Sequence, residues 1–419
     1  MNAPTPRFYL LSVGDELLSG DVLDTNAHWI AGELQRRGHR LLAGQTVGDR
    51  VGEIDAAVQR VLREVGAEDE PDAWLLITGG LGPTADDLTR DGVAAACGRA
   101  LRERPELLAA LEGSGRRLTA GARRQAELPE GAEVLDNARG TAPGFFLVHE
   151  GLGVAVFPGV PGEMRAMVRA LLDARAPRGD SQPPRRVLAV GLAESIAGER
   201  LGELMDPSRA GCRVGLCVSR GLLTVTVRGE QAEVMDQVAD AVAQRLGSHV
   251  ISRDASLGLA QLVVAELTRR GLTLSCAESC TGGLLAGALT SVPGSSAVFN
   301  ESFVTYANAA KIERLGVSPA LIAEHGVVSE PVAAAMASGC RAATGSDLAL
   351  AITGIAGPDG GSPDKPVGTV VHALAHADGV ELRTLHAGGS RDEVRARSVQ
   401  LALDMLRRRL QAGGLSAGP

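Results

Sequence analysis

The chain has 419 residues, of which 45% are hydrophobic and 22% charged, and its formal net charge is −8. This composition excludes a disordered or collagen-like chain, and the acidic balance argues against nucleic acid as the main ligand. With six Phe, two Trp and two Tyr, there is little material for base-stacking platforms. The length allows two or three cores. The six cysteines (Cys97, Cys212, Cys217, Cys276, Cys280, Cys340) form no Cys-x-x-Cys pair, so reduced thiols are expected. The opening MNAPTPRFYLLSVGDE lacks the basic and long apolar segments of a secretory signal. No run approaches the roughly 20 apolar residues of a membrane span. A cytoplasmic protein without membrane contact is the expectation.

In chain order, the apolar strand FYLLSV is followed by the loop GDELLSGDVLDTN and a helix to about Gly38; the strand HRLLAGQTV and a helix after Asp49 repeat that rhythm. The strand AWLLITGG ends in glycines and leads through LGPTADDLTRDG into another helix, and short strands precede a helix from Gly162 to Ala176. Repeated strand–helix units predict a mostly parallel sheet with helices on both faces and ligands beyond the carboxyl ends of the strands. RAPRGDSQPPRR reads as a linker. Beyond it come a strand from Val187 to Leu192, a helix from Glu194 to Met205, the strands CRVGLCVS and LLTVTVRG, and a helix from Gln231 to Leu246. This β-α-β-β-α unit is a small α+β domain with no catalytic look, best read as a spacer or dimer contact.

From Leu257 the strand–helix rhythm resumes. A helix to Arg270 precedes LTLSCA, then ESCTGG and a helix through Thr290; SFVTYA leads into a helix bearing Lys311. Ser318-Pro319 and Ser329-Glu330-Pro331 each open a helix with a capping serine. LALAITG, the loop GIAGPDGGSPDKPVG, TVVHALA and VELRTLHA precede a last helix, where Ser390 and Glu393 have capping-box spacing. The tail QAGGLSAGP is expected to be mobile. The whole is read as α/β: two Rossmann-like three-layer α/β/α domains at 1–175 and 257–412, joined by the small α+β domain at 185–252.

Among 42 basic residues only Lys311 and Lys365 are lysine. A guanidinium never deprotonates, so a surviving lysine is a candidate base or nucleophile, unless the two lysines are placed by chance in a chain with an arginine bias. Asn308, three places earlier, is a good helix cap and puts Lys311 in a first turn, where exposed N–H groups disfavour an ammonium. Burial would lower its pKa further. A group to deprotonate lies in CAESCTGG: Ser279 at a strand-to-helix turn, followed by Thr281, Gly282 and Gly283, whose backbone could approach a ligand. Two alternatives stand beside this. Ser279 or Thr281 could simply cap the helix, and the thiol of Cys280 is intrinsically the better nucleophile.

The segments AESCTGG, FVTYANAAK, HGVVSEPVA, TGIAGPDGGSPDKPVGTV and SRDEVR together resemble the nicotinamide-nucleotide amidase family over Leu257 to Leu410. The resemblance implies deamidation of nicotinamide mononucleotide to nicotinic acid mononucleotide and ammonia through an acyl-enzyme on Ser279, with Lys311 as base and no metal. It also implies Tyr306 in the site, with Asn308 beside it. The loop holding Gly354, Gly357, Gly360 and Gly361 would join Arg391 in binding the nucleotide. Lys365 is either a phosphate contact or a plain loop residue.

SVGDELLSGDVLDTN and TGGLGPTADDLTRD resemble the molybdopterin-binding fold family. With the amidase segment following in this order, the chain resembles the competence/damage-inducible CinA family along nearly its whole length. That resemblance implies metal-dependent hydrolysis of ADP-ribose in the amino-terminal domain. Gly79, Gly80 and Gly82 would cradle the pyrophosphate, and Glu16, Asp86, Asp87 and Asp91 would hold a divalent ion such as Mg, Mn or Co; Asp15 and Asp49 are weaker candidates. Acidic residues near a helix start also serve as ordinary caps. A homodimer is the expected assembly. The alternative is a non-catalytic nucleotide- or pterin-binding adaptor with a DNA-repair or competence partner.

Overall fold

The computed structural model describes residues 6–66, 73–113, 119–254 and 257–412. The chain divides into two compact units, one ending at Pro183 and the other beginning at Pro184. In the first, a six-stranded sheet runs in the order Leu41–Val47, Arg7–Val13, Ala73–Thr78, Leu152–Phe157, Gly144–His149, Glu133–Leu135. Its first four strands are parallel and the last two antiparallel. Successive side chains of a strand face opposite sides, and the core divides accordingly. Tyr9, Leu11, Val13, Leu75 and Ile77 bury on one face, Phe8, Leu10 and Leu76 on the other. Apolar residues on both faces explain why these segments read as continuous hydrophobic runs.

The second unit contains two sheets. Residues 185–252 form an antiparallel sheet in the order Arg213–Ser219, Leu222–Arg228, Arg185–Val190, Val250–Ser252, with its own core. That domain is not free of its neighbour. Val190 buries in the core of the carboxy-terminal domain, and Arg407 of the last helix, ion-paired with Asp404 at 2.6 Å, donates to the Ser248 carbonyl at 3.1 Å. The carboxy-terminal sheet runs Phe299–Val304, Leu274–Glu278, Leu348–Gly354, Thr369–His376, Gly379–His386, the first three parallel. Larger residues (Leu274, Cys276, Leu350, Ile352) fill one face. Alanines 277, 349, 351, 373 and 375 line the other, where the small side chains admit the helix Glu330–Thr344.

Several expected details change. Asp15–Ser19 is a short helix, and a ribbon of Leu101–Glu103 with Glu127–Pro129 and two helices, Pro105–Gly113 and Ala120–Arg124, lie where no element was expected. The helix expected from Glu194 to Met205 is α-helical only to Leu201; Gly202, at φ 51°, turns it into a 3-10 segment. Ser318 and Ser329 occupy N-cap positions, but neither side chain makes a capping bond; the Ser329 hydroxyl donates instead to Gly326 O at 2.8 Å. The Ser390–Glu393 box does form, with Ser390 N–H donating to Glu393 at 2.7 Å and Glu393 N–H to Ser390 Oγ at 3.4 Å. The last helix runs through Ala412; the rest of the expected mobile tail lies outside the described residues. No described helix is long and apolar enough to cross a membrane.

Candidate active site

The three parallel strands of the carboxy-terminal sheet end together, and the site is built beyond their carboxyl ends. Ser279 N–H donates to Ile352 O at 3.0 Å and Thr305 N–H to Glu278 O at 2.8 Å, so the ladder continues one residue past the strands and fixes where Ser279 and Thr305 leave the sheet. Lys311 projects from the helix Asn308–Leu315. Its side chain is 1% exposed, and its Nζ lies 3.1 Å from Ser279 Oγ, 2.7 Å from Thr305 O and 3.2 Å from Tyr306 O. Burial lowers the Lys311 pKa below its ordinary 10.5. A neutral amine has two N–H donors and one lone pair. The two carbonyls can only accept, so they take the two protons and leave the lone pair for the Ser279 hydroxyl, which then donates to it.

The expected cap at Asn308 is not present. Ala307 is the N-cap, Asn308 is the first helical residue, and no side chain caps this helix; Lys311 still falls in the first turn, its own N–H reaching Ala307 O at 3.3 Å. Neither Ser279 nor Thr281 caps the helix that follows the nucleophile. Its N-cap is Gly283, at φ 93°, after Gly282 at φ 58°. The cap comes instead from Glu278, the fully buried last residue of the strand, whose carboxylate accepts from the N–H groups of Gly283, Leu285 and Ala286 at 3.0, 3.1 and 2.9 Å. Cys280 is also buried, and desolvation pushes its thiol up to about 11. At neutral pH it is protonated and a poor nucleophile.

Tyr306 is 62% exposed, and its hydroxyl accepts from Arg391 at 3.0 Å, while Arg391 also donates to Gly357 O at 2.6 Å. The structure thus brings Gly357 of the glycine loop, the last helix and Tyr306 to one place, whereas the nearest neighbours of Gly354, Gly360 and Gly361 are Val370, Ile355 and Val367. One turn further along that helix, Arg395 donates to the carbonyls of Cys280 and Thr281, both at 3.1 Å. Lys365 donates to the carbonyl of His325 at 2.8 Å, tying its loop down. The hydroxyls of Thr281 and Thr305 are buried without a partner. Sequence reasoning missed Glu278 and Arg395. The signals were a carboxylate ending a buried strand and a second arginine four residues after Arg391, on the same helix face.

In the amino-terminal unit, a cavity of about 510 Å³ is lined by Gly79, Gly80, Gly82, Glu16, Asp49, Asp86 and Asp87, among others. The carbonyls of Gly79 and Gly80 face Thr89, accepting from its hydroxyl at 2.9 Å and its N–H at 3.2 Å. In trans peptides, this turns the N–H groups of Gly80 and Leu81 away from Thr89. Buried Arg90 holds the loop from beneath, donating to Leu81 O at 2.8 Å and Gly82 O at 3.1 Å. The four expected metal ligands are not brought together. Asp91 pairs with Arg124 at 2.8 Å. Asp87 accepts from the N–H groups of Gly82 and Thr84 at 2.7 Å each, and from the Thr84 hydroxyl, so it closes the loop. Glu16 and Asp86 face the cavity with Asp49. Burial, with the charges of Glu16, Asp15 and Asp86, raises the Asp49 pKa. Among the described residues no three His, Cys, Asp or Glu side chains converge to hold a metal, so the donor set as it stands does not fit one.

Residues 9–178 match the family model described as "Probable molybdopterin binding domain" and residues 256–410 that of the "CinA C-terminal domain". A CinA-like protein of Geobacter metallireducens is 44% identical over 419 residues, covering 96% of this chain and 98% of its own. The chain belongs to the CinA family. A second CinA-like protein, from Geobacter sulfurreducens, is 45% identical over 418 residues, with 96% and 98% covered. The crystal structure of the competence/damage inducible protein CihA from Agrobacterium tumefaciens shares 45% identity and covers 36% of this chain and 93% of that one, at a TM-score of 0.36. In this CinA-family chain the two matched segments correspond to the two α/β domains, and the Ser279–Lys311 pair falls within the carboxy-terminal one.

Proposed function

We propose that the carboxy-terminal domain is an amidohydrolase acting on nicotinamide mononucleotide, with Ser279 as nucleophile and Lys311 as base. The observation that carries this is the buried amine 3.1 Å from a serine hydroxyl, its other two contacts being carbonyls. Lys311 takes the hydroxyl proton as Oγ attacks the amide carbon. It then hands that proton to the leaving nitrogen, ammonia departs, and water, deprotonated by the same amine, releases the acid from the acyl-enzyme. An amide borne on a cationic pyridinium ring is electron-poor, which suits a serine paired with a single amine. Arg391 and the glycine loop it touches are the proposed contacts of the nucleotide, beside the exposed face of Tyr306. Ammonia release from nicotinamide mononucleotide by the purified full chain tests the reading: wild type is expected to turn over and Ser279→Ala to lose at least about 10³-fold in kcat. Folded wild-type protein without release above background would contradict it, and would favour a non-catalytic adaptor.

For the amino-terminal domain the proposed activity is hydrolysis of ADP-ribose to AMP and ribose 5-phosphate. It is supported by a cavity of ligand size, about 510 Å³, whose glycine loop turns two N–H groups away from Thr89. The resemblance implies a divalent ion, but Glu16, Asp49 and Asp86 line the cavity without converging into a donor set, and no step of the proposed hydrolysis is routed through one. Release of AMP from ADP-ribose by the purified full chain tests the reading; folded protein that releases none would contradict it.

A further inference from the structure

The turn after Ser279 is held from two sides by side chains of opposite charge. On one side Glu278 takes the N–H groups of Gly283, Leu285 and Ala286, and the Gly282 N–H donates to Ser279 O at 3.1 Å. These amides, which would otherwise be the natural donors to a developing negative charge, are already used. On the other side Arg395 holds the carbonyls of Cys280 and Thr281 through Nε and Nη2, each at 3.1 Å. A peptide plane carries its N–H opposite its carbonyl. With the Cys280 carbonyl drawn toward Arg395, the Thr281 N–H points the other way, and among the described residues it donates to no acceptor. The guanidinium is fixed in turn by Asp392 at 3.3 Å. Only a planar fork can hold two successive carbonyls in this manner.

We propose that Arg395 is a positioning residue that sets the oxyanion donor: by holding the Cys280 and Thr281 carbonyls, it keeps the Thr281 N–H free and aimed away from the last helix, toward the acyl oxygen. The inference rests on Ser279 being the nucleophile. It explains why a second arginine, one turn from the one that reaches Tyr306, spends its donors on the backbone of the nucleophile's own turn.

The test uses the full chain in four forms, wild type, Ser279→Ala, Arg395→Met and Arg395→Lys. Two readouts are taken, ammonia release from nicotinamide mononucleotide and the rate at which diisopropyl fluorophosphate phosphorylates Ser279 with loss of fluoride. Loss of one oxyanion donor costs roughly 10²–10³-fold in kcat. Arg395→Met is therefore expected to lose about 100-fold in kcat and in labelling rate, with KM within about threefold and the midpoint of the pH profile unmoved. Arg395→Lys, which reaches one carbonyl at a time, is expected to recover part of the loss while melting as wild type does. Retention of kcat within about threefold in Arg395→Met overturns the proposal, as does a loss confined to KM. If wild type releases no ammonia but its Ser279 is labelled, the substrate reading fails, and a slower labelling of Arg395→Met still supports the positioning role. If wild type neither turns over nor is labelled, both fall.

Discussion

At the scale of single residues, the account depends on one buried amine, Lys311, beside a serine hydroxyl. Two lysines among 42 basic residues made Lys311 visible in the sequence. What makes it a base was not legible there, because its partners, Thr305 O and Tyr306 O, are backbone carbonyls that leave no trace in side-chain identity. The choice between Ser279 and Cys280 was open from composition. The structure separates them physically: the serine faces the amine at 3.1 Å, while burial holds the neighbouring thiol as a thiol, at about 11. Cys280→Ala is accordingly expected to keep kcat for ammonia release within a few-fold of wild type; a loss comparable to that of Ser279→Ala would assign the reaction to the thiol. Burial also gives Lys311 a signature in stability. With its pKa lower in the folded state than in the unfolded one, the native state binds fewer protons, so its contribution is unfavourable below the folded pKa and improves as pH rises toward the unfolded value. Denaturant titrations of wild type and Lys311→Met should show the difference moving in favour of wild type as pH rises. A difference that stays constant with pH would mean that the lysine is not perturbed.

At the scale of elements, the strand–turn–helix around Ser279 illustrates what a sequence pattern reveals and conceals. The buried strand, the glycines and the helix were all legible from apolar runs and turn residues. The cap was not, because sequence rules look for Ser, Thr, Asp or Asn at the helix start, whereas the acceptor here is Glu278, five residues before the first N–H it receives. Three N–H groups around one fully buried carboxylate cannot be served by an amide, whose NH₂ would face a donor. Glu278→Gln is expected to cost about 1–3 kcal/mol, seen as a fall of about 2–10 °C in the melting transition of the carboxy-terminal unit. An unchanged transition would show that the carboxylate is not needed. The helix of Lys311 teaches the reverse lesson. Asn308 has the chemistry of a cap, yet the N-cap falls one residue earlier, on Ala307, Asn308 is already helical, and no side chain caps the helix. The ribbon of Leu101–Glu103 with Glu127–Pro129 was invisible for another reason: three-residue strands are too short to show a period.

At the scale of the molecule, two rounds of strand–helix rhythm announced two α/β domains, and both carry a core on each face of the sheet. The small middle domain was legible as a sheet with two helices but not as part of the carboxy-terminal unit, since Val190 and the Arg407–Ser248 bond act between segments far apart in sequence. The acidic loop of the amino-terminal unit was legible as a cluster of charges. Which of them are free at the cavity depended on Arg124, which pairs with Asp91, and on the Gly82 and Thr84 N–H groups, which Asp87 accepts at the cavity wall. With separate sites in separate units, Ser279→Ala is expected to leave ADP-ribose hydrolysis unchanged and Asp86→Ala to leave ammonia release unchanged, in assays of each variant on both substrates; loss of both activities in either variant would contradict separate chemistry. The central claim is that an uncharged Lys311 deprotonates Ser279, and its most direct test is the pH dependence of kcat/KM for ammonia release by wild type and Lys311→Arg, from about pH 6 to about pH 10. The account predicts that wild-type activity rises to a plateau with a midpoint below the 10.5 of an ordinary lysine, and that Lys311→Arg is inactive throughout. A flat wild-type profile, or turnover sustained by the guanidinium, would contradict it.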